Sequence, residues 1–584
     1  MPSTTASLLL ALVGAAAVNA APVNQTTSAS NGTAPSNGSA NAVPGKSEYP
    51  LVTAPGEEPY NLYEPLQQRV AIVNATTMAV SWNTYRPLDT DAVIHYGLDP
   101  LNLDRIATTE QTTFETSRTW SHHGVLTGLQ PKTEYHYRVA YTNCFACNTL
   151  PTYTFTTPRE RGDESAYSVA VVADMGLMGP EGLSDTAGTG AGGALGPNET
   201  NTIQSLVQNL DAYEHLIHIG DLAYADYFLK ESVGGYFGLS AQDVQPTRER
   251  VVDKYEELNE IFYDQIQPIS AQKAYMVAVG NHESNCDNGG VKDKANNITY
   301  TADYCLPGQV NFTAYNEHWR MPGKPGDTRN FWYSYDDGMV HYIILNFETD
   351  FGAGIYGPDE VGGDGKQMSG PRGAVNEQID WLKADLAAVD RSKTPWVLAF
   401  GHRPWYVGID DARCKPCQAA FEQILYDGNV DVVLTGHDHV YSRSWPVYNY
   451  TTDPNGYDNP RAPVYITNGL GGHYDGVDAL SNPLPGDIAH GIEAVYGWSR
   501  LTFANRTHLR QEFVAARNSS VLDSFWLYRE HAEGAPNNGS GHGHGHDNGN
   551  HNGHNNGKGN GGHDNGNHNG QNKGNNGNGH GNKW

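Results

Sequence analysis

The pattern of hydrophobic and polar positions divides most of the 584-residue chain into two folded regions of different character. Between residues 69 and 157, short runs alternate apolar and polar positions and are separated by turn residues, which predicts a small all-β domain. From residue 167 to about residue 526, apolar runs alternate with amphipathic helical stretches such as residues 376–389. Strands that alternate with helices predict a layered α/β domain.

Neither end of the chain is predicted to belong to a folded domain. Ser7 to Val18 form a 12-residue apolar run, too short to span a bilayer but typical of a signal peptide that is cut near Ala20, although no Lys or Arg precedes it. Residues 21–58 are rich in Asn, Ser, Thr, Pro and Gly, and residues 534–584 in Gly, Asn and His. We therefore predict a signal peptide (1–20), a disordered glycosylated leader (21–58), an all-β domain (59–160), an α/β domain (165–530) and a disordered tail (534–584).

Composition narrows the partners that the protein can have. The chain carries 65 acidic and 37 basic side chains, a net charge of −28, which disfavours nucleic acid and anionic membrane surfaces as partners. After residue 20 no apolar stretch reaches membrane length, so we expect a secreted protein without a membrane anchor. The N-x-[Ser/Thr] acceptor pattern for glycosylation agrees with export and occurs at Asn24, Asn31, Asn37, Asn74, Asn198, Asn297, Asn311, Asn449, Asn505, Asn518 and Asn538.

The six cysteines of an exported chain are expected to form disulfides, although six residues allow fifteen pairings. Their spacing favours three local pairs. Two of these have C-x-x-C spacing, which in a cytosolic chain would instead indicate a zinc site or a redox motif. The candidate pairs are Cys144 with Cys147, Cys286 with Cys305, and Cys414 with Cys417.

Five apolar runs in the α/β region each end in side chains that can bind a metal ion. A single residue of this kind would be explained by helix capping or a loop hydrogen bond, but a series of five is not. Open α/β sheets place their sites just beyond the carboxyl ends of strands. The residues in question are Asp174, Asp221, Asn281 with His282, His402, and His437 with His439.

The motifs around these residues resemble the purple acid phosphatases of the calcineurin-like metallophosphoesterase superfamily. The segments 174–176 (Asp-Met-Gly), 220–224 (Gly-Asp-Leu-Ala-Tyr), 280–283 (Gly-Asn-His-Glu), 401–402 (Gly-His) and 436–439 (Gly-His-Asp-His) follow that family's order, and the likeness runs from about residue 69 to about 525. Residues 128–139 are similar to the turn and tyrosine strand of fibronectin type III domains. The resemblance implies an α/β (α+β) metallophosphoesterase β-sandwich flanked by helices, preceded by a fibronectin type III-like all-β domain.

The resemblance also implies a centre of two metals, one of each per subunit. The superfamily's usual Asp-x-His opening has Gly176 in its third position here, and Tyr224 is the candidate replacement, since a phenolate favours a ferric ion. Fe(III) would be held by Asp174, Asp221, Tyr224 and His439. A divalent ion (Zn, Fe or Mn) would be held by Asp221, Asn281, His402 and His437.

Other residues are expected to contact the substrate. By resemblance, Asn281 and His282 face the phosphate, and His282 protonates the departing oxygen. Arg403 is a further candidate phosphate donor. Plant relatives carry a histidine pair where this chain has Ile409-Asp-Asp-Ala412, so the contacts that follow His402 differ here.

These expectations together describe a secreted acid phosphatase that cleaves small phosphate monoesters by attack of a metal-bound hydroxide. One alternative is a phosphodiesterase or phytase-type activity on the same centre. The other is a non-enzymatic, wall-associated metal-binding protein whose His-rich tail is the functional part. The natural substrate, the divalent metal and the oligomeric state have no signature in the sequence.

Overall fold

The computed structural model describes residues 56, 58–89, 92–141, 152–178, 195–196, 198–227, 248–286, 292–293, 298–299, 305–326, 328–349, 372–473 and 476–531. The predicted signal peptide, nearly all of the leader, and the His-rich tail lie outside these residues. So do Cys144 and Cys147, and the acceptor asparagines 24, 31, 37, 297 and 538.

The N-terminal domain is all-β, as predicted. Its strands are β1 (Leu66–Asn74), β2 (Thr77–Thr84), β3 (Val93–Gly97), β4 (Arg105–Thr112), β5 (Trp120–Leu126), β6 (Glu134–Ala140) and β7 (Tyr153–Thr156). All pairs among them are antiparallel, and β4 joins two layers because its first half pairs with β3 and its second half with β5. Buried aromatic residues such as Trp82, Tyr135 and Tyr137 fill the space between them.

The larger domain contains two mixed sheets. In the first, β8 (Tyr167–Val172), β9 (His215–Ile219) and β10 (Ala274–Ala278) are parallel, and β22 (Gly497–Asn505), β23 (His508–Ala515) and β24 (Val521–Tyr528) extend it antiparallel. In the second, β14 (Val340–Ile344), β15 (Trp396–Phe400), β16 (Val432–Thr435) and β20 (Val464–Asn468) are parallel. Its outer strands are β13 (Tyr333–Asp337), β17 (Tyr441–Ser444) and β21 (Ile488–Ile492).

Helices and short ribbons complete this domain. The helices are α1 (Thr202–Gln208), α2 (Arg248–Ser270), α3 (Thr313–His318), α4 (Glu377–Ala388) and α5 (Lys415–Asp427). Two-residue strands pair as β11 (Lys292–Asp293) with β12 (Ile298–Thr299), and as β18 (Val447–Tyr448) with β19 (Thr451–Thr452). Among the described residues no helix is long and apolar enough to cross a membrane.

The two sheets of the larger domain pack face to face. Tyr167 of β8 contacts Tyr342 of β14 through their hydroxyls, 2.9 Å apart, and the Tyr333 hydroxyl donates to the Val277 carbonyl. Strands β9, β10 and β15 are buried along their whole length, as expected for parallel strands covered on both faces. The predicted fold class is therefore confirmed.

One connection between the domains was not predicted. Strand β1 pairs in parallel with β10 at Val70 and Ala274, so the N-terminal strands continue the first sheet of the larger domain. Helix α2 also contacts β1. Two of the predicted disulfides are present, Cys286 with Cys305 and Cys414 with Cys417.

Candidate metal centre

The predicted ligands lie in loops that directly follow five parallel strands. Each strand delivers its ligand two or three residues after its last residue, at the edge where the carboxyl ends of both sheets meet. The strand and ligand pairs are β8 with Asp174, β9 with Asp221, β10 with Asn281, β15 with His402, and β16 with His437.

Three side chains surround the hydroxyl oxygen of Tyr224. The Tyr224 hydroxyl lies 3.2 Å from Asp174 Oδ1, 3.3 Å from Asp221 Oδ2 and 2.9 Å from His439 Nε2. The structure thus brings together the four residues proposed for the ferric ion. A phenol oxygen, two carboxylates and an imidazole form a hard, mostly oxygen donor set of the kind that suits Fe(III).

A second group shares one of those carboxylates. Ligand atoms of Asp221, His402 and His437 all lie within 4.8 Å of one another, and His402 Nε2 is 2.9 Å from Asp221 Oδ2. His437 Nδ1 lies 3.0 Å from Asn281 Oδ1. The residues proposed for the divalent ion therefore also converge, and Asp221 belongs to both groups, as a bridging ligand must.

The backbone is strained at the same positions. Asp174, Asp221, Tyr224 and His437 have φ angles of 57°, 52°, 52° and 71°. Residues other than glycine rarely adopt this left-handed conformation, because Cβ crowds the neighbouring carbonyl. Such strain persists where the surrounding structure enforces it, commonly at functional sites.

The electrostatics of the group fit cations. Asp174 and Asp221 are completely buried, and within the described part of the chain their ion-pair partners are histidines. Burial raises the pKa of Asp174 well above its ordinary value. Burial also opposes ionisation of Asp221, but His402 and His282 hold the pKa of this carboxyl well below its usual range. Buried carboxylates beside imidazole nitrogens and a phenol oxygen form a site that a metal ion completes.

His282 sits at the edge of this group in a fixed orientation. Its Nδ1 is 2.7 Å from Asp226 Oδ2, while its Nε2 lies 3.8 Å from Asp221 Oδ2. Its backbone N–H donates to Asp221 Oδ1 at 3.0 Å. One ring nitrogen is therefore held by a carboxylate and the other faces the candidate ligands.

The Arg403 guanidinium is buried beside the same group. Its Nε donates to Glu348 Oε2 at 2.8 Å, and its Nη1 lies 3.0 Å from His437 Nε2. The structure thus shows Arg403 supporting a candidate ligand, which the sequence interpretation did not include. Its role as a phosphate donor stays a prediction.

Three supporting residues were missed from the sequence. The Glu283 carboxylate accepts hydrogen bonds from the backbone N–H groups of Asp221, Leu222 and Gly280, at 3.0, 2.7 and 2.8 Å, and so joins two ligand loops. Asp226 orients His282. Glu283 lies inside the 280–283 motif and Asp226 lies two residues after the 220–224 motif, so both positions could have indicated them. The third, His473, stacks on the ring of Tyr224; it follows a glycine pair in a distant loop and carries no such signal.

Comparisons with known proteins agree with this geometry. The chain matches the calcineurin-like phosphoesterase family over residues 167–441, the purple acid phosphatase N-terminal domain over 65–157, and the iron/zinc purple acid phosphatase-like protein C family over 462–524.

Individual relatives cover most of the chain. It is 35% identical to acid phosphatase A of Cryphonectria parasitica, over 83% of this chain and 95% of that protein. It is 28% identical to purple acid phosphatase 23 of Arabidopsis thaliana, over 76% and 86%. Its fold resembles a purple acid phosphatase from yellow lupin seeds, with a TM-score of 0.58, 21% identity, and coverage of 80% and 75%.

Proposed function

Because the chain belongs to the purple acid phosphatase family of calcineurin-like phosphoesterases, we propose that it is a secreted acid phosphatase that hydrolyses phosphate monoesters at a centre of Fe(III) and one divalent metal. The observation that carries the proposal is the Tyr224 hydroxyl, which lies within 3.3 Å of both Asp174 and Asp221. Two buried carboxylates that converge on one phenol oxygen are costly unless a cation binds there.

Each of the two metals would be held by its own set of residues. Fe(III) would be held by Asp174, Asp221, Tyr224 and His439, and the divalent ion by Asp221, Asn281, His402 and His437. Bound together, two such cations supply Lewis-acid chemistry, acidifying water and offsetting the charge of a phosphate ester.

The residues of the chain supply orientation and a proton. Asp221 would hold the two sets of metal ligands next to each other, because His402 and Tyr224 contact the same oxygen of its carboxylate. Asp226 would keep His282 oriented, so that its Nε2 can give a proton to the departing alkoxide. Glu283 would prevent the loops from drifting apart by holding their backbone N–H groups.

The metal assignment is tested by metal analysis combined with a visible spectrum. A Tyr224 phenolate on Fe(III) gives a charge-transfer absorption band, so the purified protein should be coloured and Tyr224→Phe should bleach it. Tyr227→Phe is the matched control, because Tyr227 lies in the same loop, is equally buried and is outside the proposed donor sets. A colourless, active, metal-loaded wild type would contradict the ferric assignment.

The substrate class is tested by comparing rates on a monoester and a diester of the same alcohol. We expect the monoester to be cleaved faster. The opposite order would favour the phosphodiesterase alternative, and no turnover of either ester by fully metal-loaded protein would favour the non-enzymatic one.

Export is proposed from the apolar run before Ala20 and from the acceptor sequences for glycosylation. Expression in a eukaryotic host should place the protein in the medium with its first 20 residues removed. Retention in the cell with an intact N-terminus would contradict it.

A further inference from the structure

The ring of Tyr224 packs against two histidine rings. The His473 ring stacks on it with centroids 3.5 Å apart and planes 10° from parallel. The His282 ring is 4.2 Å away at 34°. Both rings therefore pack directly against the ring of Tyr224. His282 was expected near the centre, whereas His473 has no role in the proposal above.

The loop that carries His473 is built to approach this ring closely. A Cβ atom on Gly471 would lie 1.9 Å from the Ala173 carbonyl oxygen, and one on Gly176 would lie 2.9 Å from His473 Cδ2. The backbone N–H of His473 donates to the Asp174 carbonyl at 3.2 Å. The glycine that replaces the superfamily's usual histidine at position 176 therefore also leaves the space that His473 occupies.

Tyr224 needs external support because its own backbone does not favour its position. Its φ angle of 52° is unusual for a bulky residue, and such a conformation persists only where neighbouring contacts enforce it. The phenol oxygen must also be held within about 0.5 Å of its position to reach Asp174, Asp221 and a cation together.

We propose that His473 is a positioning residue that clamps the Tyr224 ring so that the phenol oxygen points into the proposed ferric site. The inference rests on the proposed function, because it concerns the residue proposed as the phenolate ligand. Residues that orient a ligand typically change metal affinity by about 10- to 100-fold when they are removed. They also change the spectrum of the ligand that they orient.

The test is a series of three substitutions at position 473. His473→Ala removes the stacked ring, His473→Leu restores volume without an aromatic face, and His473→Phe restores a flat ring without nitrogen. We expect iron loss to a chelator to be about 10- to 100-fold faster in His473→Ala, with a shifted and weakened charge-transfer band. His473→Leu should fall between His473→Ala and wild type, and His473→Phe should recover most of the band.

His215→Ala is the matched control. His215 is as buried as His473 and packs edge-on against Tyr335 and Tyr342 in the same domain, away from the candidate ligands. It should lower the melting temperature of the metal-free protein without shifting the band of the loaded protein. The leucine and phenylalanine variants preserve packing, so they remain informative if His473→Ala does not fold.

The outcomes separate this inference from the proposed function. If the wild type is coloured and all three variants keep its absorption band and its rate of iron loss, the positioning role of His473 is overturned. The ferric assignment then still stands. A colourless wild type would overturn the ferric assignment. In that case elemental analysis still tests the positioning role of His473, because whichever cation is bound should leave faster from His473→Ala than from His215→Ala.

Discussion

The metal-ligand loops and the buried face of helix α2 both place carboxylates inside the protein, but they satisfy them differently. On α2, Glu256 accepts hydrogen bonds from Thr116 and Gln309, at 2.7 and 3.2 Å. Glu260 accepts one from the Tyr85 hydroxyl at 2.8 Å and pairs with Arg118 at 3.3 Å. Ordinary donors from neighbouring segments satisfy these groups on an unstrained helix.

In the ligand loops the two carboxylates instead share the same neighbouring side chains. Asp174 and Asp221 share the Tyr224 hydroxyl and lie near His402, with left-handed backbone at both aspartates. Such an arrangement costs stability. The difference teaches that a buried carboxyl group alone does not identify a functional site; strained backbone and ligand side chains that face one another do.

The largest effect is expected from the residue that both donor sets share. Asp221→Asn removes the bridging charge, so turnover should fall by about 10²- to 10³-fold, on the scale of losing a central electrostatic group. Steady-state kinetics and elemental analysis would check this. Asp211→Asn, an exposed aspartate in the same domain, is the control that changes charge equally. Normal turnover with one or two metals bound in Asp221→Asn would remove the bridge from the proposal.

The next effect concerns the proton donor. Alkoxide leaving groups need a proton and activated phenolates need it far less, so His282→Ala should slow an alkyl phosphate by about 10² or more and an activated aryl phosphate distinctly less. Asp226→Asn should change the ratio of the two rates in the same direction, because Asp226 holds His282.

Elemental analysis must show that both metals are retained in these variants. Equal losses on the two esters, in kcat as well as kcat/KM, would mean that His282 acts mainly in phosphate binding. The donor would then have to be sought after His402, where this chain departs from its plant relatives.

A smaller effect is expected on the α2 side, in stability and not in turnover. Burial raises the pKa of Glu256 from 4.5 to about 8. The folded state therefore keeps a proton that the unfolded chain releases, so this stabilisation is complete below about pH 4.5 and is lost as the pH rises through about 8. Each pKa unit corresponds to about 1.4 kcal/mol.

Thermal melts at pH 5 and pH 8 would measure it. The melting temperature should be higher at pH 5, and Glu256→Gln should reduce the difference, whereas Glu257→Gln next to it, which pairs with Lys254, should not. If Glu256→Gln leaves the difference in melting temperature unchanged, groups other than Glu256 cause the pH dependence.

The smallest effect is expected from the tail, which belongs to neither region. Residues 534–584 lack the apolar residues needed to dock on a folded domain, so their deletion should leave turnover on a soluble ester unchanged while binding to metal resin drops. A tenfold fall in the activity of a folded truncation would place the tail in the site.

Much of the fold and of the candidate site was predictable because the signals are local. Buried parallel strands appear as continuous apolar runs, and the residue that follows each run lies at the sheet edge. Asp174, Asp221 and His402 could therefore be read from their positions in the chain. Identifying Tyr224 as a ligand required the family resemblance as well, because its position three residues after Asp221 does not distinguish a metal ligand from an ordinary buried tyrosine.

Contacts between segments far apart in the chain were decided by the tertiary structure alone. The pairing of β1 with β10 joins residues about 200 positions apart, and His473 reaches Tyr224 from another strand's loop. No periodicity or motif encodes such pairs, because they depend on how whole sheets and loops pack. The sequence by itself determined the strands, the order of the ligands and the family; packing decided which of them share an oxygen, which backbone is strained, and which ring holds Tyr224 in place.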